Sequence, residues 1–267
     1  MTQLKYKFTN DTLFKMVFVR NQNLLKRLVA VLLRIHLEDI GEFTVTNPEM
    51  PPESMSEKFC RLDINMMVNC QVVDLEIQVN DEKDYPERSL YYWAREYSSA
   101  LSEGKKYLDL PKTIIISIVA FKLFNCEAFH SEFEVLEINR HERLTDRLNL
   151  HYFELPKIPE IDGAHDELNL WLSLFKAETE EELVKIESIG GEIMEQAVSA
   201  YRRVSGTKEF QELERLRFEA SCNEAAALAN AEQRRSIEIA KTLKAKGMPV
   251  DEIAEITKLT VDEVILL

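Results

Sequence analysis

The sequence is poor in the residue types that mark several classes of protein. Its 4 cysteines form no CxxC pair, so neither a zinc cage nor a disulfide framework is expected, and free thiols in a reducing cytosol fit their spacing. Its 5 histidines are scattered without an HxxxH pair, which argues against a histidine zinc site. Only 7 glycines and 8 prolines are present, which argues against a disordered or collagen-like chain.

Long apolar runs are also missing. No segment approaches the roughly 20 apolar residues that span a bilayer. The longest run, residues 114–121, has the length and the β-branched composition of a buried strand. Residues 1–8 lack the apolar stretch of a secretory signal. We therefore expect a cytoplasmic protein with no membrane partner.

Positive charge is in deficit, and the formal net charge is −14. Lysine and arginine drive nucleic-acid binding by displacing counterions, so this balance argues against a nucleic-acid partner. However, charges further apart than about 10 Å are largely screened at ordinary salt, so the local field decides. A cluster of carboxylates that binds a divalent cation also reverses its local charge.

The hydrophobic periodicity predicts an α/β core followed by helices. A helical pattern covers residues 10–38, and a second helix is expected from about Tyr85 to Glu103, where Gly104 would end it. Strands are predicted at residues 43–45, 60–68, 72–79, 112–121, 132–138 and 150–155. The pattern divides the chain into a core (1–160), a helical region (161–246) and a tail of two short helices (247–267).

The hairpin predicted around residue 70 carries polar side chains on one face. If Cys70 and Gln71 form a two-residue loop, Asp63 lies opposite Gln78 and diagonal to Glu76. The Cβ atoms of the two acids would then be roughly 5–8 Å apart, which lets both carboxylates bind one Mg²⁺. A shift of the register by one residue would separate them.

Two carboxylates on one face repel each other unless a proton or a cation lies between them. A hard divalent metal there can polarise a phosphodiester and lower the pKa of a bound water. Gln78 cannot be a general base because an amide does not titrate, but it can orient a water or donate to a phosphate oxygen. The alternative is a solvated strand face without chemistry.

Several short segments, in their order and spacing, resemble the PD-(D/E)XK nuclease family transposases, also called Rpn recombination-promoting nucleases. The resemblance covers nearly the whole chain. It rests on Asn10-Asp11-Thr12-Leu13-Phe14-Lys15, Arg61-Leu62-Asp63-Ile64, Leu75-Glu76-Ile77-Gln78, and residues 88–92, 104–107, 239–243, 247–248 and 253–257. It implies an α/β fold with a restriction-endonuclease-like mixed sheet flanked by helices and an α-helical C-terminal extension.

The same resemblance implies a metal-dependent DNA endonuclease linked to recombination or mobile elements. Mg²⁺ is the expected cofactor, with Mn²⁺ or Ca²⁺ as alternatives, and DNA is the expected partner. Asp63 and Glu76 would bind the metal together with the Ile77 carbonyl. Gln78 stands where the superfamily has lysine, so a positive charge is lost. The alternative function is therefore a catalytically silent DNA-associated or protein-interaction module descended from such a nuclease.

Further site residues have simpler alternatives. Asp11 matches the family's acid on the N-terminal helix, but an acid in a first turn also stabilises the helix dipole by about 0.3–1 kcal/mol. Arg88, Tyr92 and Arg95 share a helix face and could bind phosphates and stack on bases, or form a plain surface stripe. Lys105 could contact a phosphate or be simply solvated.

The tail resembles a helix-turn-helix formed by residues 250–257 and 261–267. In that motif the second helix places its first residues at the DNA bases. Here those positions hold Asp262 and Glu263, which the phosphate backbone would repel. We therefore favour a helical interaction or dimerisation module over a DNA reader, and a homo-oligomer is expected of an enzyme that cuts both strands.

Overall fold

The structure is a computed structural model that describes residues 2–47, 64–101, 104, 106–160 and 166–267. Its contacts divide the chain into two compact units, Met1–Gln211 and Glu212–Leu267. The first part of the predicted helical region (161–246) therefore belongs to the same compact unit as the sheet. The three functional segments predicted from the sequence stay a prediction.

A six-stranded mixed sheet occupies the first unit. The strands lie in the order β1-β2-β3-β4-β6-β5. The three neighbours β3, β4 and β6 run parallel, and the other pairs are antiparallel. The predicted α/β class with a mixed sheet and C-terminal helices is confirmed. The strands are β1 (Phe43–Val45), β2 (Ile64–Val68), β3 (Gln71–Gln78), β4 (Thr113–Val119), β5 (His130–Leu136) and β6 (Arg143–Glu154).

Helices flank the sheet. Asn10 begins the first of them, because its side chain accepts a hydrogen bond from Leu13 N at 2.8 Å. The fifth helix bends at Gly191, whose φ of 56° is left-handed. The first and fourth helices pack together through the rings of Phe14, Phe18, Trp171 and Phe175, and Phe8, which precedes the first helix, packs on Phe175. The helices are α1 (Asp11–Arg20), α2 (Gln22–Leu32), α3 (Tyr85–Ser99), α4 (Glu167–Lys176), α5 (Glu180–Ser205) and α6 (Lys208–Ala245), which continues into the second unit.

The sheet has two distinct faces. Ile115, Ser117 and Val119 of β4 point to the face that α3 covers, which we call the α3 face, where Tyr85 packs against Ile115 and Val119. Every residue of β4 is buried, so the opposite face is covered as well. An all-buried run of Thr, Ile, Ser and Val is typical of a central parallel strand.

Several element boundaries differ from the sequence prediction, and two of the differences have a clear cause. The third helix ends at Ser99 rather than near Glu103. The hydroxyls of Ser98 and Ser99 donate to backbone carbonyls three residues earlier and so compete with continued helical bonding. Strand β6 begins at Arg143, seven residues before the predicted start, because its first half is exposed and charged and so lacks the apolar alternation on which the prediction relied.

The second unit contains the predicted pair of short helices, α7 (Val250–Thr257) and α8 (Val261–Leu266). They join through Lys258, whose φ is 57°, and Thr260 forms a reciprocal cap with Glu263 at the start of α8. A small core supports them, formed by Ala240, Ile253, Leu259 and Val264. Within the described residues, no helix in either unit combines the length and apolar character needed to cross a bilayer.

Candidate active site

The hairpin register differs from the prediction. The turn consists of Asn69 and Cys70, with φ angles of 48° and 61°, rather than Cys70 and Gln71. Positive φ at both positions is the geometry of the two-residue turn that connects twisted strands. Asparagine tolerates this conformation, and its side-chain oxygen also accepts from the backbone N–H groups of residues 41 and 42.

The predicted pairing of Asn65 with Glu76 is therefore wrong, and Asn65 lies opposite Asp74. The error is two residues, which leaves every side chain on its predicted face. Asp63 lies outside the described residues, and the described part of β2 begins at Ile64. The approach of Asp63 to Glu76 stays a prediction.

Glu76 is the best-defined site residue, and it lies on the α3 face of β3. Its in-register neighbour on β4 is Ser117. Only 8% of Glu76 is exposed, although a carboxylate is costly to bury without hydrogen bonds. The fully buried Tyr85 hydroxyl of α3 donates to Glu76 Oε2 at 2.9 Å and lies 2.9 Å from Ser117 Oγ. A hydroxyl has one proton, so Ser117 is the donor in that second contact.

This contact fixes one oxygen of the Glu76 carboxylate. Burial is the largest cause that raises the pKa of Tyr85, and the negative charge of Glu76 adds to it. The phenol therefore stays protonated and remains a donor across the physiological pH range. Its ring packs edge-on against Phe121 and Tyr152, so the hydroxyl has little freedom to move.

The structure buries polar groups that the sequence did not single out. Asp74 and Ser117 are fully buried on the α3 face, and Lys15 of α1 is 3% exposed. The alternation with Glu76 was a signal for Asp74. No local signal identifies Tyr85 or Ser117, because their contact with Glu76 requires α3 and β4 to assemble on β3.

Gln78 is partly exposed at the end of β3, and its amide donates to the Asn80 carbonyl at 2.9 Å. Backbone groups of successive residues point to opposite edges of a strand. The Gln78 carbonyl accepts from Ala120 N on the β4 side, so the Ile77 carbonyl points to the β2 side. The described part of β2 ends opposite Leu75, before this position.

The residue types of this region fit a hard divalent cation. The Glu76 carboxylate and the Ile77 carbonyl both offer oxygen, which Mg²⁺, Mn²⁺ and Ca²⁺ accept. Across the described ranges, no group of three or more His, Cys, Asp or Glu side chains is arranged to hold a metal. The predicted ligand set includes Asp63, which those ranges do not cover.

The predicted DNA contacts on α3 have unequal surroundings. Arg88 forms an ion pair with Glu82 at 2.7 Å, and its guanidinium lies 5.0 Å from the centre of the Tyr85 ring. Arg88 is therefore one ring away from the Glu76 carboxylate. Tyr92 is partly exposed, Arg95 is exposed, and Lys105 lies outside the described residues.

Asp11 lies in the first turn of α1, where its carboxylate accepts from Thr12 N at 3.0 Å. This position agrees with a role in stabilising the helix dipole. A role as a metal or water ligand stays a prediction.

The sequence matches one known protein family. A sequence model described as "PD-(D/E)XK nuclease family transposase" matches residues 8–231. The chain has no significant match among curated proteins or among solved structures. The family match includes α1, the hairpin with Glu76 and Gln78, and α3. The chain belongs to the PD-(D/E)XK nuclease family transposases.

Proposed function

We propose that this protein is a metal-dependent DNA endonuclease that hydrolyses phosphodiester bonds. One observation carries the proposal: in a chain of this family, a buried strand carboxylate, Glu76, is held by the Tyr85 hydroxyl. The ligands would be Asp63, Glu76 and the Ile77 carbonyl, with Mg²⁺ as the preferred ion and Mn²⁺ or Ca²⁺ as alternatives. Because the family is described as transposases, we propose that the activity serves recombination or mobile elements, and that the protein acts in the cytoplasm.

Each residue of the proposed site has one role in the proposed hydrolysis. A bound divalent ion polarises the phosphodiester and lowers the pKa of the attacking water. Glu76 holds the ion in one position because Tyr85 restrains its carboxylate. Gln78 orients the water or donates to a phosphate oxygen, but it carries no charge and takes no proton. Asp11 provides a further carboxylate that binds the ion or a water.

The DNA would lie along the exposed side of α3. Arg88 and Arg95 supply guanidinium groups for phosphates, Tyr92 supplies a ring for stacking, and Lys105 supplies a further charge. Because the whole chain is acidic, the affinity should depend strongly on salt and on the divalent ion.

Nicking of a supercoiled plasmid tests the proposal. Purified protein is incubated with Mg²⁺, Mn²⁺ or Ca²⁺, with EDTA as the metal-free control. We expect Asp63→Ala and Glu76→Gln to reduce nicking by about 100-fold or more, because each removes a ligand charge. Glu160→Gln, a change at an exposed glutamate, should leave nicking unchanged. Equal nicking by all variants would assign the activity to a contaminant.

A second candidate is a silent DNA-associated or protein-interaction module. Gln78 favours it, because an amide replaces the expected lysine and donates to Asn80 within the chain. The second unit adds exposed apolar side chains at Ile256, Ile265 and Leu266, which suit assembly into a homo-oligomer. DNA binding without nicking in any metal, or a dimer that needs residues 247–267, would favour this candidate.

A further inference from the structure

A polar cavity lies on the opposite face of the sheet from Glu76. Its volume is about 260 Å³, and it is bounded by the end of α2, the turn after β2 and the adjoining strands. His151 and Asn149 of β6 share this face with Ile114 and Ile116 of β4. Drug-sized sites occupy roughly 300–1,000 Å³, so this cavity suits a small ligand.

Two imidazole rings form one wall of the cavity. His130 Nε2 lies 3.0 Å from His151 Nδ1, and the rings are parallel within 4°. Phe153 stacks on His130 at 4.4 Å and does not line the cavity, so the cavity meets the other side of the ring pair. His151 also bonds to Asn149, whose amide donates to Glu132 at 2.8 Å. The rings are thus fixed in place.

Two cationic side chains line the same space. Arg34 and Lys112 both lower the pKa of His151 by their charge, which places both near the ring pair. Among the described residues, neither side chain forms an ion pair. Carboxylates at Glu132 and Asp39 also line the cavity, so it offers both positive groups and hydrogen-bond acceptors.

The backbone at Arg34 supplies an independent observation. Arg34 follows α2 with a φ of 55°, and the bonds Arg34 N to Val31 O and Ile35 N to Ala30 O complete the motif that usually ends a helix with glycine. A side chain at this position strains the backbone. Here the strained residue provides one of the two cations of the cavity, and such strain often occurs at ligand sites.

We propose that this cavity binds a small phosphate monoester that also carries hydrogen-bond donors, such as a nucleoside monophosphate. Arg34 and Lys112 bind the phosphate, because a guanidinium and an ammonium are strong phosphate donors. The flat imidazole pair receives a planar ring, and Glu132 and Asp39 accept from the N–H or O–H groups of the ligand. The site does not depend on the proposed nuclease activity.

Calorimetric titration with adenosine 5′-monophosphate, inorganic phosphate and adenosine tests the proposal. We expect the monophosphate to bind most tightly. Arg34→Gly and Lys112→Ala should each weaken its binding by about tenfold or more, because each removes a phosphate partner. Lys122→Ala, at an exposed lysine just beyond the far end of β4, is the matched control.

The Arg34→Gly variant separates binding from folding. Glycine relieves the left-handed backbone, so this variant should unfold at the same or a higher temperature than the parent. No binding of either phosphate compound, or unchanged binding by Arg34→Gly, would overturn the proposal. It would also be overturned if only duplex DNA bound and both variants weakened that binding, because the cavity would then be part of the DNA-binding surface.

Discussion

The two faces of the sheet provide different surroundings for their buried ionisable groups. On the α3 face, Glu76 is buried against the neutral donor Tyr85, so its charge can be kept for a cation. On the opposite face, burial is the largest cause that lowers the pKa of His151 to about 4, so the ring pair is neutral near pH 7 beside two cations. One sheet would then carry the proposed cation site on one face and the proposed anion site on the other, separated by its own thickness.

Acidification should affect the opposite face most strongly. The folded pKa of His151 is about 4, against about 6.5 in an unfolded chain. Its contribution to stability is therefore complete above pH 6.5 and is lost as the pH falls to 4. We expect a loss of about 3 kcal/mol in unfolding free energy over that range.

Chemical denaturation at a series of pH values measures this loss. His151→Gln should flatten the part of the pH dependence that lies between 6.5 and 4, because the titrating ring is gone. His36→Gln, at an exposed histidine, is the control and should keep the parent slope. The same slope in the parent and in His151→Gln would show that His151 is not kept neutral.

Removal of one oxygen on the α3 face should have a smaller effect. Tyr85→Phe keeps the ring packing but removes the donor to Glu76, and we expect a loss of about 1–2 kcal/mol in stability. The carboxylate loses a hydrogen bond that favours its charged form, so the acidic limb of the nicking profile should move to higher pH.

Tyr152→Phe is the matched control for that change. Tyr152 is also buried on the α3 face, but its hydroxyl lies 2.5 Å from Ser89 Oγ, and no hydrogen bond joins it to Glu76 among the described side chains. It should lower stability without moving the acidic limb. A shift of equal size in both variants would mean that Tyr85 does not position Glu76.

The smallest expected effect concerns the turn formed by Asn69 and Cys70. This turn sets the register of the hairpin, and Asn69 also lines the cavity. Cys70 has a φ of 61°, which glycine adopts without strain. Cys70→Gly should stabilise the fold by about 0.5–1 kcal/mol. Cys126→Gly, at an exposed free thiol where φ is not positive, should give no gain in thermal unfolding.

The sequence predicted the strands of the hairpin and the faces of their side chains, because a period of two is a local property. The predicted register was wrong by two residues. The prediction placed Gln71 in the turn and did not consider that Asn69 tolerates the left-handed conformation that the turn requires. The order of the six strands depends on pairing between segments that are distant in the sequence. The periodicity of a single sequence contains little information about such pairing.

The surroundings of the site residues could be predicted less well. Glu76 was identified by its spacing, but Tyr85 is its partner only because α3 packs on that face. His130 and His151 are 21 positions apart in the sequence, and their contact depends on the pairing of β5 with β6, which includes a register irregularity. Neither contact could be predicted from the spacing of the residues.

The proposed nuclease activity requires the Glu76 carboxylate to bind a divalent ion. Titration of the protein with Mn²⁺, followed by calorimetry, tests it without any DNA substrate. We expect Glu76→Gln to weaken Mn²⁺ binding by about tenfold or more, whereas Glu160→Gln binds like the parent. Equal Mn²⁺ affinity in the parent and in Glu76→Gln would contradict the account.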